Sequence, residues 1–364
     1  MMPTLTPRRM RRAALTTTAA AAVLGIGLTG CATGAADETN GDGAGTVTLA
    51  VHDSFPNEDF AAAASAATGF DVQVVSAGDG GELTNKLVLT KGAPIADAFF
   101  GVDNIFASRL LENEVVAEYT PEHLPGDAEQ FAVDGDPDSG LVAVDHGATC
   151  INIDTAWFSD QQLAAPESYD DLTKPEYRDL TVLLDPTASS TGASFLVGTV
   201  AEFGEDGFAD YWQRLMDNGA RIEQGWSDAY YGQFTQGGEN GTRPIVVSYA
   251  SSPAFTVDEA GTASSTAALL DTCTRQVEYA GVLQGAENEA GARAVVDYLV
   301  SHEFQQTIPD AMYMNPVDST VEMPAAWTQF APSPAAGQTH DLDSREIEAG
   351  RETWLKALSE QIGL

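Results

Sequence analysis

Three stretches of the sequence concentrate side chains able to hold a small molecule. The first, Asp185-Pro186-Thr187-Ala188-Ser189-Ser190-Thr191-Gly192, follows the strand-like run Thr181-Val182-Leu183-Leu184 and precedes a helical pattern over residues 193–203. A loop of this composition leaves free N–H groups at a helix start. With the hydroxyls of Ser189, Ser190 and Thr191 beside them, they can hold an anion such as a phosphate. Helix capping by one hydroxyl accounts for the same residues at least as well. The second and third stretches are Gly225-Trp226-Ser227-Asp228-Ala229-Tyr230-Tyr231 and Ser248-Tyr249-Ala250-Ser251-Ser252-Pro253-Ala254-Phe255. Both set aromatics among Gly, Ser and Pro, where loops are expected. Such faces can stack on flat or cationic ligands, and core packing is the competing use of the same side chains. Hydrolytic chemistry finds no support. The sequence has no Gly-x-Ser-x-Gly elbow, no His-Glu-x-x-His and no Cys/His cluster, and His123, His146, His302 and His340 stand without companion motifs.

These loops need elements to aim them. Residues 46–52 and 70–75 read as strands, 59–68 as an Ala-rich helix ended by Gly69, 82–90 as a helix, 95–101 as a strand and 105–111 as a helix. This alternation argues for a mostly parallel sheet covered by helices. Ligands bind such sheets beyond the carboxyl ends of strands, where His52-Asp53-Ser54 and Asp103-Asn104 fall. Further strands are expected within 141–153 and over 181–184, 245–248 and 275–282. Helices are expected over 168–172, 193–203, 208–218, 290–300, 301–307 and 345–362.

The amino terminus carries an address. Arg8, Arg9, Arg11 and Arg12 precede an uncharged run, Ala13 to Gly30, that ends in Leu28-Thr29-Gly30-Cys31. A basic start, an apolar middle and small residues before a cut make a secretory signal over residues 1–30. The final four residues resemble the bacterial lipoprotein box, in which the Cys takes the lipid. As a transmembrane anchor the run is short and diluted by Gly and Thr. Residues 31–45 are then a flexible spacer. The expected location is extracytoplasmic, on the outer face of the cell membrane.

Without residues 1–30 the chain keeps 13 basic against 54 acidic side chains, a formal charge of −41. Nucleic acid is an unsuitable partner at that charge, and a cationic ligand is favoured. With Cys31 lipidated, Cys150 and Cys273 remain, an even pair in an oxidising compartment. A disulfide between them and a pair of buried free thiols are the two alternatives.

Taken together, several segments resemble the thiamine-binding solute receptors of ABC importers, which are related to the ferric-ion and polyamine receptors. They are Asp53-Ser54-Phe55, Gly101-Val102-Asp103-Asn104, Asp185-Pro186 with Ser189 to Gly192, the two aromatic stretches, and Ile308-Pro309 with Met312-Tyr313 and Pro316-Val317. The resemblance runs over most of residues 46–330 and implies an α/β, two-lobed periplasmic-binding-protein type II fold with two crossing hinge strands. Lobe 1 would comprise residues 46–148 and 275–364, and lobe 2 residues 149–274.

The family implies a monomeric binding protein without catalytic activity or cofactor, which passes its ligand to an ABC permease. Carried over, Trp226 and Tyr249 should pack on the rings of thiamine and Asp103 should face its aminopyrimidine or positive charge. Ser189, Ser190, Thr191 and Gly192 should reach its hydroxyethyl or phosphate end, with His52, Ser54, Tyr230, Ser252 and Phe255 completing the site. His52 and Phe255 each stand where the family pattern has a Tyr, which bears on the choice among thiamine and its phosphates. A Cys150–Cys273 bridge would staple the hinge. A ferric-ion receptor using Tyr230 and Tyr231, a polyamine receptor and, more distantly, an exported hydrolase are the alternatives.

Overall fold

The computed structural model describes residues 44–133, 138–238, 240–335 and 337–364. The secretory signal, Cys31 and nearly all of the spacer lie outside the described residues. The first half of the fold comprises β1 (Ala44–Val51), α1 (Asn57–Thr68), β2 (Phe70–Ser76), α2 (Gly80–Leu89), β3 (Ala98–Asp103) and α3 (Ala107–Glu112). The chain then crosses on β4 (Val142–Asp154) into α4 (Thr155–Gln161), β5 (Thr181–Leu184), α5 (Ser190–Phe203), α6 (Phe208–Asp217), β6 (Arg221–Glu223), α7 (Trp226–Tyr230) and β7 (Ile245–Tyr249). It returns on β8 (Thr266–Val282) and ends with α8 (Glu289–Leu299), α9 (His302–Gln305), α10 (Ile308–Met312), β9 (Asn315–Pro316), α11 (Ala325–Phe330) and α12 (Ser344–Ile362).

All these strands form one sheet in the order β2-β1-β3-β8-β4-β7-β5-β6, with β9 added on β4. The expectation of a mostly parallel sheet needs correction. Strands are parallel inside each outer group, β2-β1-β3 and β7-β5-β6, but β3-β8, β8-β4 and β4-β7 are all antiparallel. A parallel neighbour needs a crossover, usually a helix, and the outer groups have one between successive strands. β4 and β8 instead carry the chain straight from one group to the other and back, so they meet head to tail.

The two crossing strands also explain why β8 was read short. Residues 275–282 are its second portion; the first, Thr266–Leu269, pairs with Ile151–Asp154. Between Thr149 and Ile151 the register breaks, because β8 carries extra residues there. Cys150 and Cys273 sit at this break and are joined by a disulfide that closes a separation of 123 residues.

Most other elements lie within a few residues of their sequence reading. Two differ in kind. Residues 170–173 form a 3-10 turn in place of a regular helix, and α7 forms where a loop was expected. α5 starts at Ser190, so Ser190, Thr191 and Gly192 are its first turn.

Two apolar clusters cover the sheet, and the larger runs through both halves, from Leu83 and Phe99 to Val182 and Trp212. Val47, Leu49 and Val51 meet Phe60 of α1 and Val295 and Leu299 of α8 in one apolar cluster. Val182 and Leu184 share another with Phe195 of α5 and Trp212 and Leu215 of α6. α12 packs on both α3 and α6 and so touches both halves.

Candidate binding site

The ends of β1 and β7 and Glu278 within β8 meet the start of α7 and the end of α10 around a cavity of about 250 Å³. That is slightly below the roughly 300–1,000 Å³ of most small-molecule pockets, so a compact ligand is called for. One wall is aromatic. Trp226 is its centre, 5.9 Å from Tyr249, 5.5 Å from Tyr313 and 5.2 Å from Tyr231 between ring centroids. Its indole N–H donates to Ser248 Oγ at 3.0 Å, and Ser248 in turn pairs with Ser252 Oγ at 2.8 Å. Ser252 also accepts from the Tyr249 amide at 3.2 Å. The Ser248–Ser252 segment therefore fixes the Trp226 ring and the backbone that carries Tyr249. Tyr230 stacks behind Trp226 at 4.9 Å and 17°.

The opposite wall is polar. His52 follows β1, its Nδ1 2.9 Å from Ser54 Oγ and its Nε2 3.9 Å from Glu278 Oε2 on β8. The imidazole fits because Gly101 on β3 lacks a side chain, since a Cβ there would stand 2.2 Å from His52 Cδ2. Gly101 also has φ +96°, the left-handed region that glycine tolerates. Burial pushes His52 down to about 4, against the pull of Asp79, so the ring is neutral at pH 7. Glu278 is pushed up to about 8, first by burial and then by Asp103. Asp145 on β4, beside it, is raised well above the carboxylate range by burial and by Glu278 itself. Asp53, at the cavity edge, is raised by burial and by Asp79.

Between the two halves stands Asp79, the residue before α2. Its Oδ1 accepts from the amides of Gly80 at 2.6 Å and Ser190 at 3.1 Å, and its Oδ2 from the amide of Trp226 at 3.0 Å. One carboxylate thus caps α2 in the first half and the starts of α5 and α7 in the second. The approach is close: a Cβ on Gly80 would meet Ser190 Oγ at 2.0 Å. The amide of Glu82 donates to Ala188 O at 3.1 Å across the same contact.

Of the residues singled out from sequence, His52, Ser54, Trp226 and Tyr249 line the cavity. Others stand behind it. Ser189 Oγ caps α5 by accepting from the Gly192 amide at 3.4 Å and pairs with Thr191 Oγ1 at 3.0 Å, so this loop is helix capping first. Ser190 and Gly192 are buried in the same turn. Asp103 Oδ1 accepts from the amides of Ile105 and Phe106 at 2.9 and 3.2 Å. Burial lifts its carboxyl to about 7, and the Ser190 hydroxyl is the strongest opposing influence. Phe255 stacks on Tyr313 at 3.6 Å and 14° and so supports the aromatic wall from outside.

Sequence reasoning missed Glu278, Asp79 and Tyr313 as site residues, and singled out Tyr231 only for the ferric-ion alternative. A Glu amid the largely apolar alternation of β8 and an Asp directly before Gly80-Gly81 were the available signals. A second cavity of about 300 Å³, between β8 and the start of α12, is lined by Asn104 but by none of the residues expected to contact the ligand. Among the described residues no group of three or more His, Cys, Asp or Glu is arranged to hold a metal ion.

Two outer strand groups joined by two crossing strands, with a cavity where their ends meet, define a two-lobed binding protein of the periplasmic type II fold. The model of the bacterial extracellular solute-binding protein family matches residues 93–334, and the chain belongs to that family. The thiamine-binding periplasmic protein of Salmonella typhimurium is 26% identical over 296 residues, covering 78% of this chain and 82% of that one. The fold is shared with a periplasmic thiamin binding protein at a TM-score of 0.74 and 24% identity, over 87% of this chain and 96% of that one. It is also shared with iron-bound HitA of Pseudomonas aeruginosa at 0.67 and 18%, over 88% and 99%.

Proposed function

We propose that this protein is an extracytoplasmic receptor that encloses thiamine between its lobes and delivers it to an ABC permease, without catalysing a reaction. The carrying observation is the cavity with Trp226, Tyr249 and Tyr313 on one side and Glu278 on the other. Thiamine is a cation with two flat rings, and aromatic faces with a facing carboxylate are suited to it. The curated relatives named for thiamine support the same reading. Trp226 and Tyr249 pack on the rings, His52 and Ser54 offer polar contacts, and Glu278 is the nearest counter-charge. Asp103, Ser189, Ser190, Thr191, Gly192, Tyr230, Ser252 and Phe255 act from behind, by holding those groups in place.

In this reading the lobes divide near residues 148/149 and 274/275, at the disulfide-linked register break of β4 and β8. Closure brings Asp79 onto the amides of Ser190 and Trp226, and a phosphate ester of thiamine must compete with it there. Lipidation of Cys31 tethers a monomeric receptor beside its permease.

A ferric-ion receptor of the same fold is the second reading, favoured by the likeness to iron-bound HitA. It asks for Tyr230 and Tyr231 to act together. Their rings stand at 87°, Tyr230 is buried against Trp226 and Phe234, and burial raises its phenol above the ordinary range. Raised phenols resist becoming phenolate ligands. Calorimetry with thiamine, thiamine monophosphate, spermidine and ferric citrate separates these readings. Saturable one-to-one binding of a thiamine form supports the proposal, and no heat with any of them at a folded protein defeats it.

A further inference from the structure

We propose that Glu278 is the group that meets the ligand's positive charge, and that a cationic ligand enters by displacing a proton held between Glu278 and Asp145. The inference rests on the thiamine reading and adds the electrostatic exchange that accompanies capture.

The geometry begins with three acids on three neighbouring strands in the middle of the sheet. Asp103 ends β3, Asp145 lies in β4 and Glu278 in β8, and Glu278 is paired in register with both Asp103 and Asp145. All three are buried, with Asp103 and Asp145 at 0% exposure and Glu278 at 5%. The two carboxyl oxygens of Asp145 are buried and meet no donor except the Glu278 carboxyl beside them. Three buried anions on neighbouring strands are prohibitive without compensation, so the site retains protons.

The surrounding charges do not remove that need. His52 from β1 faces Glu278 at 3.9 Å but is itself driven neutral by burial. Asp79 from the loop before α2 and Asp103 from β3 both push Glu278 up, while Gln276 on its own strand donates to it at 3.1 Å. Tyr249 from β7 keeps its proton, because burial and Glu278 raise its phenol. Arg351 of α12 acts on Asp103 from behind Phe106, and burial lowers its own affinity for a proton. No fixed cation on these elements balances Glu278.

Of the three acids only Glu278 lines the cavity. A cation bound against Trp226 and Tyr249 therefore lies next to a neutral carboxyl. Its charge favours the carboxylate, the proton leaves to solvent, and the ligand becomes the counter-ion. Affinity must then rise with pH until Glu278 ionises without help, near pH 8.

Thiamine is titrated calorimetrically into the whole protein at pH 7 in phosphate and in Tris, whose ionisation heats differ widely. The difference in observed heat counts protons. The expected result is release of close to one proton per thiamine, with affinity rising several-fold per pH unit from pH 6 to 8. Glu278→Gln should bind more weakly, with release near zero and a flat pH profile. Asp145→Asn leaves the cavity wall intact and should bind thiamine with less release than wild type. It also serves if Glu278→Gln does not fold. Wild-type binding with no release, or with proton uptake, overturns the inference and leaves the thiamine reading standing. No binding of thiamine to folded wild type overturns both.

Discussion

The two walls of the cavity are built on opposite plans. The polar wall comes from the residues after β1 and from Glu278 of β8, a long crossing strand held by its pairing and disulfide with β4. The aromatic wall comes from short elements: the five-residue helices α7 and α10, and the end of β7. Its shape depends on side chains bracing one another, as Tyr230 braces Trp226 and Phe255 braces Tyr313. The difference divides the work. Strand burial sets the charge state of the site, and braced rings on short elements set its fit. Asp79 joins the two, since it reaches the α7 start from the first half of the fold.

The largest expected effect concerns the strand wall. Replacing Cys150 and Cys273 by Ser removes a cross-link over 123 residues. On the chain-entropy model this costs up to about 5 kcal/mol of stability. Urea unfolding should show the midpoint falling sharply, and an unchanged midpoint would mean that strand pairing alone holds the crossing.

Next comes the aromatic wall. Trp226→Ala should cost about 2 kcal/mol or more of thiamine affinity, as expected of a central buried anchor, and should also lower the unfolding midpoint because the indole is packed on Tyr230. An affinity within twofold of wild type would remove Trp226 from the site.

Asp79→Ala tests the link between the walls. It deprives the Ser190 and Trp226 amides of a charged acceptor, worth about 1.5–3 kcal/mol per bond at most. Thiamine binding should weaken, and the ratio of thiamine monophosphate to thiamine affinity should rise as the amides become free for phosphate. If calorimetry finds that ratio unchanged, Asp79 does not compete with a phosphate.

A further effect is the pH dependence of ligand-free stability. Glu278 has a folded value raised to about 8 against an ordinary carboxylate when unfolded. The folded state therefore holds the extra proton, and the contribution is full at pH values below the unfolded carboxylate range. It is lost as pH rises toward 8. Thermal unfolding should show wild type losing stability from pH 5 to 8 relative to Glu278→Gln. Parallel curves would contradict the buried-proton account.

Much of this was legible in the residues because it was local. β5 and the ends of α1 and α12 follow from apolar spacing and from Gly69 and Gly363 in left-handed caps. Trp226 and Tyr249 stood out because aromatics in Gly- and Ser-rich stretches lack a regular apolar period. Tertiary pairing carried the remainder. The first portion of β8, Thr266–Leu269, is a strand because Ile151–Asp154 lies beside it, and four residues of mixed Thr, Ala and Leu do not announce that. Asp103 ends a strand and the family resemblance implies that it faces the ligand's charge, yet two backbone amides occupy one of its oxygens. Glu278 faces the cavity only because β3 and β4 flank it, a fact of sheet order. α7 was read as a loop because Gly225, Ser227 and Asp228 dilute a helix of five residues.

The central claim, that the cavity between the walls receives thiamine, is tested most directly by titrating thiamine into the full chain and following tryptophan fluorescence, with Trp226→Phe as the control. The account predicts saturable quenching at one thiamine per chain, largely lost in Trp226→Phe. An unchanged spectrum with the protein folded and thiamine in large excess, or equal quenching in wild type and Trp226→Phe, would contradict it.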